Sequence, residues 1–255
     1  MFYKSPSGTK EEVHDFWNRN VCQADLPRTE TGTRKFFEEV EAIRYKYHYH
    51  LHPLFEKIRS ACGDHGRLLE VGCGMGTDLL QLVRKGIEVT GVDLTQAAIE
   101  LAKKRFEMYG LQADLRVADA ENLPFEDEEF EVVYSFGVLH HTPDTKEAIR
   151  ETHRVLKNTG RAFVMLYYRR SLNYLAHWIT GLPFDGSRKD KCPVERSYSR
   201  REIRELFDMY DRVDISIDYL FGTGWGKINR ITPALVHRFL GKKIGWHAMI
   251  EAVKG

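Results

Sequence analysis

The sequence predicts an α/β fold in which helices cover both faces of a mostly parallel sheet. Three observations predict it. From Arg67 onward, short apolar runs of strand length alternate with segments of helical period. The runs LLEV, VVYSF and AFVMLYY are apolar throughout, as strands buried on both sides are. The first of these strands leads straight into a glycine-rich turn and then a helix.

The chain has 255 residues, between one and two domains on length alone. Hydrophobic residues make up 42% and charged residues 29%, enough to build a sizeable core and too many apolar groups for a disordered chain. The division expected is an N-terminal arm and helical lid over 1–62, then a core over 63–255 with insertions at about 169–198 and 220–243. No internal repeat breaks this plan.

Residues up to about 32 are polar and turn-rich, an irregular arm with one short helix near the Phe16-Trp17 pair. Thr33 then caps a helix in which Phe36, Phe37, Val40, Ile43, Tyr47 and Leu51 recur at helical steps. Pro53 ends it and sits in the first turn of a second helix through Leu54, Phe55 and Ile58. The core follows as strand 67–72, helix 75–85, strand 88–93, helix 95–109, strand 113–119, strand 130–136 and helix 144–156. A Thr159-Gly160 turn leads into strand 161–168. A short helix in SLNYLAHWIT lies in the first insertion. Ser199 and Glu202 form a capping box for a helix to Tyr210, RVDISIDYL alternates as a strand over 212–220, and IGWHAMIEAV closes the chain as a last strand. Short loops would join these elements, so both insertions are candidate functional loops.

Charge and cysteine usage exclude several classes. Lys+Arg is 38 against Asp+Glu at 37, which removes the general electrostatic case for nucleic acid as a partner. Cys22, Cys62, Cys73 and Cys192 are widely spaced with no C-x-x-C pair, so neither a disulfide framework nor a zinc knuckle is expected, and a reducing, cytoplasmic setting is. No metal-ligand spacing occurs. No apolar run approaches the ~20 residues of a membrane span, and the first fifteen residues lack the apolar centre of a secretory signal.

The chemistry concentrates in LLEVGCGMGTD at 68–78. Glycines there permit a tight turn and close approach of backbone to ligand. Asp93 follows at the tip of the next strand, where a carboxylate can accept both hydroxyls of a ribose. Open α/β sheets bind ligands at this carboxyl end of their strands. The spacing Gly72-x-Gly74-x-Gly76 is one residue shorter than the G-x-G-x-x-G of dinucleotide-binding folds, which argues against a nicotinamide oxidoreductase.

With Glu70 before it, this loop resembles motif I of the class I S-adenosylmethionine-dependent methyltransferases. GVDLT, ADAENLPFEDEEFEVVYS, FGVLHHTPD and RVLKNTGRAFVM resemble further segments of that family in the same order, covering about 67–168. The turn Lys157-Asn158-Thr159-Gly160 departs from the family's Pro-Gly or Gly-Gly. The resemblance implies a Rossmann-like, doubly wound, seven-stranded sheet of order 3-2-1-4-5-7-6 with its last strand antiparallel, and the methyltransferase domain 11-like, small-molecule branch. It also implies S-adenosylmethionine as cofactor, with Gly72, Gly74 and Gly76 lining its methionine part and Glu70 holding the loop or the amino group. Asp93 would clamp the ribose beside Leu94, Asp119 and Ala120 would meet the adenine, and Phe136 and Gly137 would lie below the sulfonium. Asp78 would reach the cofactor or cap the helix, and Cys73 is a small filler in the loop.

Methyl transfer from a sulfonium is an in-line displacement that chiefly needs positioning and dryness. A base is required only when the nucleophile carries a proton. His141, then His140, are the candidates, against the alternative that they merely shape their loop. On the helix before the core, Arg44 and Tyr45 are expected to close over the cofactor as a lid, Arg44 meeting a carboxylate and Tyr45 the sulfonium. The acceptor is expected at Tyr167, Tyr168 and the insertions, whose Tyr174, His177, Trp178, Trp225, Lys227 and Arg230 suit an aromatic, anionic or lipid-like molecule. LNYLAHWITGLPF and ALVHRFLGKKIGW are amphipathic and flanked by basic residues, which suits either membrane-surface contact or ordinary packing on the core. The reading is methylation of a small-molecule acceptor. Its alternatives are a different transfer on the same cofactor, a lipid or quinone acceptor at a membrane surface, or a non-catalytic binding subunit.

Overall fold

In the computed structural model, residues 8–221 and 225–255 are described, with the backbone alone at Lys227 and Arg230. Three helices precede the sheet: α1 (Lys10–Arg19), α2 (Arg34–Tyr47) and α3 (Leu51–Cys62). The core then runs β1 (Arg67–Val71), α4 (Thr77–Arg84), β2 (Glu88–Asp93), α5 (Gln96–Tyr109), β3 (Asp114–Val117), β4 (Phe130–Phe136), α6 (Thr145–Val155) and β5 (Leu156–Tyr167). After it come α7 (Leu172–Thr180), α8 (Arg200–Leu206), β6 (Arg212–Asp218), α9 (Gly226–Ile231), α10 (Ala234–Ile244) and β7 (His247–Val253). The seven strands form one sheet of order β3-β2-β1-β4-β5-β7-β6, parallel except for β7, which is antiparallel to β5 and β6. This is the predicted order.

The pleat divides the core in two, because successive side chains of a strand point to opposite faces. Leu69, Val71 and Val133 face one side with α6 and α8. Leu68, Val132 and Tyr134 face the other with α3, α4 and α5. Helix α2 rests outside the second layer, with Phe36, Phe37 and Val40 against Met75.

Several boundaries differ from the sequence reading. The helix capped by Thr33 stops at Tyr47 rather than Leu51, and Leu51 opens α3 with Pro53 in its first turn. The apolar period runs unbroken across the two helices although they pack into different parts of the core, so periodicity alone could not see the break. Thr95 does not cap α5: its hydroxyl donates to Asp93 instead. β5 begins at Leu156, not Arg161; Thr159 adopts a positive φ of 65° inside it, beside a register shift against β4. The helix after Ser199 ends at Leu206.

Candidate active site

The loop after β1 is shaped by its own backbone. The N–H groups of Gly72 and Cys73 both donate to the Val92 carbonyl, at 2.8 and 2.9 Å, so the chain turns across the end of β2. Gly72, Gly74 and Gly76 have φ of 75°, 54° and 72°, in the left-handed region that side chains resist. The turn leaves a cavity at the carboxyl ends of β1, β2 and β4. Its walls are the loop, Asp93–Thr95, Ala118–Glu121 and the segment after β4 from Phe136 to Pro143.

Most predicted site residues meet there. Arg44, Glu70, Gly72, Cys73, Gly74, Asp78, Asp93, Leu94, Asp119, Ala120, Phe136, Gly137 and His141 all border this one cavity. Three do not. A side chain at Gly76 would point at Phe106 and Ala102, so this glycine serves helix packing. His140 is fully buried behind the wall, between the rings of His141 and Tyr167 at 4.2 and 3.9 Å, and burial holds its pKa far below that of a free imidazole. Tyr45 packs against His52 and Phe55 with its hydroxyl 2.9 Å from Asp78 and 3.1 Å from the Thr77 carbonyl, so it acts beneath the cavity rather than on its contents.

Electrostatics are the site's strongest feature. Asp78 is buried, and burial alone would raise its pKa. The bidentate Arg44 guanidinium, with hydroxyls of Tyr134 and Tyr45, outweighs this and pulls it below the carboxylate range. The same pair raises Arg44 further despite its own burial. Asp93 accepts from Gly74 N at 3.0 Å and from the amide and hydroxyl of Thr95 at 2.9 and 2.8 Å, yet burial still leaves its pKa raised. Glu70 is 4% exposed, its Oε2 has no partner, and burial together with Asp78 and Asp93 pushes its pKa well up. Cys73 is buried and its thiol is pushed up as well, which fits a filler.

His141 sits on a short turn, Leu139–His141, after β4. Its Nδ1 lies 2.8 Å from the Val194 carbonyl, which can only accept, so Nδ1 carries the proton and Nε2 keeps its lone pair. Nε2 is 3.5 Å from Asp185 Oδ2, to which Tyr167 donates at 2.9 Å. Burial lowers the His141 pKa, with Asp185 partly opposing.

Sequence reasoning missed the cavity's outer wall. Lys10, Val13 and Trp17 of α1, with the turn through Val21–Gln23, close over the opening. Lys10 pairs with Asp119 and Glu121, and Trp17 meets His141 edge-on at 5.2 Å. The covering element is therefore α1 rather than α2, whose Arg44 is spent on Asp78 instead of facing outward. The Phe16-Trp17 pair in an otherwise polar arm was the one available signal. Asp185 and Val194, which position His141 from the first insertion, left none.

Of the residues expected to meet an acceptor, Tyr167, Tyr174 and His177 gather around Phe184 and Trp246. Tyr167 is half-buried, stacked on Trp246 at 4.3 Å. Tyr174 and His177 pack on Phe184 at 6.0 and 5.1 Å, and Trp178 is exposed. The side chains of Lys227 and Arg230 lie outside the described residues. No group of acidic, His or Cys side chains placed to hold a metal occurs among the described residues.

Comparison with known proteins agrees with this geometry. Residues 69–164 match the model of a methyltransferase domain family. Over that stretch the chain is thus similar to the methyltransferase domains of class I, the group whose methyl donor is S-adenosylmethionine. Among curated relatives, the phthiotriol/phenolphthiotriol dimycocerosates methyltransferase of Mycobacterium tuberculosis (strain ATCC 25618 / H37Rv) is 43% identical over 96 residues, 37% of this chain and 35% of that one. Methyltransferase GfsG of Streptomyces halstedii is 33% identical over 111 residues, 42% and 39% of the two chains. The chain spans about two fifths of the length of the curated relatives it matches. The solved [4+2]-cyclase SpnF superposes with a TM-score of 0.66 at 19% identity, covering 99% of both chains, a likeness of fold.

Proposed function

We propose that the protein transfers the methyl group of S-adenosylmethionine to a small-molecule acceptor and releases S-adenosylhomocysteine. One observation carries this reading: the cavity holds more buried carboxylate than cation. Arg44 is taken by Asp78, and Lys10 by Asp119 and Glu121. That leaves Glu70 and Asp93 facing the cavity without a cation, and an isolated buried carboxylate is costly. A ligand with an ammonium and a sulfonium supplies what they lack.

The residues fit such a ligand in other ways. The buried Glu70 Oε2 lacks a partner and would accept from a donor on the ligand. A Cβ built on Gly74 would stand in open space, so the glycine leaves backbone bare where a ligand lies. Asp93, braced by Gly74 and Thr95, retains one acceptor site, on Oδ2, for a ribose hydroxyl. Asp119 and Ala120 stand where the adenine edge would be, and Leu94 and Phe136 supply apolar walls.

When bound, S-adenosylmethionine supplies a methyl group already activated for displacement. The chain's part is to hold the reactants in line and exclude water, through α1 and Trp17 above and the Arg44–Asp78 pair below. Where the acceptor carries a proton, His141 Nε2 takes it, and Asp185 stabilises the imidazolium that forms. Acceptors named for the relatives, among them phthiotriol dimycocerosates and 27-O-demethylrifamycin SV, favour a lipid or polyketide-like class over a macromolecule.

Calorimetry with S-adenosylmethionine, S-adenosylhomocysteine and NAD tests the reading. The first two are expected to bind and NAD is not. Mass-spectrometric detection of a product heavier by one methyl, from a panel of polyketide and lipid acceptors, tests the transfer. Binding of NAD in preference would overturn the proposal.

A further inference from the structure

The second insertion carries an interaction surface that the methyl-transfer site does not use. Between Asp218 and Glu251 there is no acidic residue, while Lys227, Arg230, Arg238, Lys242 and Lys243 fall in that stretch, in a chain whose formal net charge is only +1. On α10 the buried residue is Gly241, which lies against Asp218 of β6 and the Tyr49 hydroxyl. Phe239 sits about 200° round the helix from it at 100° per residue. It is 61% exposed, Leu235 is 80% exposed, and Ile231 at the end of α9 is 76% exposed. Lys242 and Lys243 flank these apolar groups in the last turn, also exposed.

The first insertion adds to the same region. On α7, Leu175, Trp178 and Ile179 recur at helical spacing and are all exposed. The helix is tied to the second insertion by Asn173, whose Nδ2 donates to the Leu220 carbonyl at 3.1 Å and whose Oδ1 accepts from Trp225 Nε1 at 2.5 Å. Single exposed apolar residues are ordinary on a protein surface. Two linked helices, each showing several, with an excess of one charge beside them, are not.

We propose that this face, α7 together with α9 and α10, docks the protein onto an anionic lipid bilayer. An amphipathic helix lying in the interface has this composition: apolar side chains that enter the headgroup boundary, with Lys and Arg meeting lipid phosphates. No helix among the described residues is long and apolar enough to cross a membrane, so the contact is peripheral. The charge decides between occupants. A second copy would set the same basic residues against each other, whereas an anionic surface complements them. The inference stands apart from the methyl-transfer reading, since none of its residues borders the first cavity.

Co-sedimentation of the full chain with vesicles tests it. The protein is expected to pellet with phosphatidylcholine–phosphatidylglycerol vesicles and to remain in solution with phosphatidylcholine alone, and added salt should release it. Leu235→Glu with Phe239→Glu is expected to abolish binding. Lys242→Gln with Lys243→Gln should weaken it by about 25-fold, roughly fivefold per basic residue. Circular dichroism checks that each variant is folded, and binding of S-adenosylhomocysteine should be unchanged. Equal binding to both vesicle types, binding to neither, or a dimer in light scattering that Leu235→Glu with Phe239→Glu dissociates would each overturn the proposal.

Discussion

Replacing Arg44 with leucine removes the one guanidinium that neutralises Asp78. Asp78 is 2% exposed and close to two further carboxylates, Glu70 and Asp93, so the variant buries an uncompensated negative charge in an already acidic place. Breaking a buried pair from one side costs about 3–5 kcal/mol. With a urea m-value of about 3 kcal/mol/M for a chain of this size, the unfolding midpoint should drop by roughly 1–1.7 M. Asp78→Asn in the Arg44→Leu background should restore part of this, because the amide no longer carries the charge that the guanidinium balanced. The double-mutant cycle should therefore show a coupling of at least about 2 kcal/mol. Chemical denaturation followed by fluorescence gives all four free energies. Additive effects, or a loss below about 1 kcal/mol in Arg44→Leu alone, would refute the claim that this pair is a structural floor under the cavity.

Other perturbations read different parts of the site. Asp93→Ala should weaken S-adenosylhomocysteine binding by about 1–3 kcal/mol in calorimetry, the scale of hydrogen bonds to a charged group; wild-type affinity would contradict its assignment. Burial and the neighbouring Asp78 and Asp93 raise the Glu70 pKa, and a cationic ligand favours the charged form, so its binding should draw a proton from Glu70. Calorimetry in buffers of different ionisation enthalpy should show that release, and Glu70→Gln should remove it. His141→Gln should lower turnover more than donor affinity, and wild-type turnover should fall as pH drops through a value below 6.5, where the imidazole gains its proton. His48 and His50 are held by burial at about 3 and about 4. Folded-state pKa values below the unfolded 6.5 mean that the unfolded chain binds more protons as pH falls. Stability present above 6.5 is therefore lost towards acid, by about 3 kcal/mol in all between pH 6.5 and 5. Denaturation midpoints across that range would show it, and a flat profile would contradict it.

The core was legible because its signals are local. A strand buried on both sides is apolar at every position, and the glycine turn must follow β1 wherever it occurs, so β2 and β4 were placed to the residue. What escaped depends on contacts distant in sequence. Trp17 reaches His141 across more than a hundred residues, and Asp185 reaches it from an insertion whose sequence reads as loop. Gly76 shares the positive φ of its neighbours, but only the packing of α5 shows that its bare face meets Phe106 rather than the cavity. Arg44 was recognised as a residue seeking a carboxylate. That the carboxylate belongs to the protein follows from Asp78 pointing back beneath the loop, which spacing along the chain does not reveal.

The pairing of Arg44 with Asp78 bears on specificity. Were the guanidinium free of Asp78, it would offset Glu70 and Asp93 more fully and favour anionic ligands in the pocket. Paired with Asp78 instead, it ties α2 to the first turn of α4, directly after the glycine loop. A pyrophosphate placed there would meet Glu70 and Asp93 with Arg44 already paired, whereas an ammonium or sulfonium would find both carboxylates desolvated and Asp93 braced, so that little reorganisation opposes binding. A preference for a sulfonium ligand over a dinucleotide would thus rest on the pairing of one arginine as much as on the spacing of the three glycines.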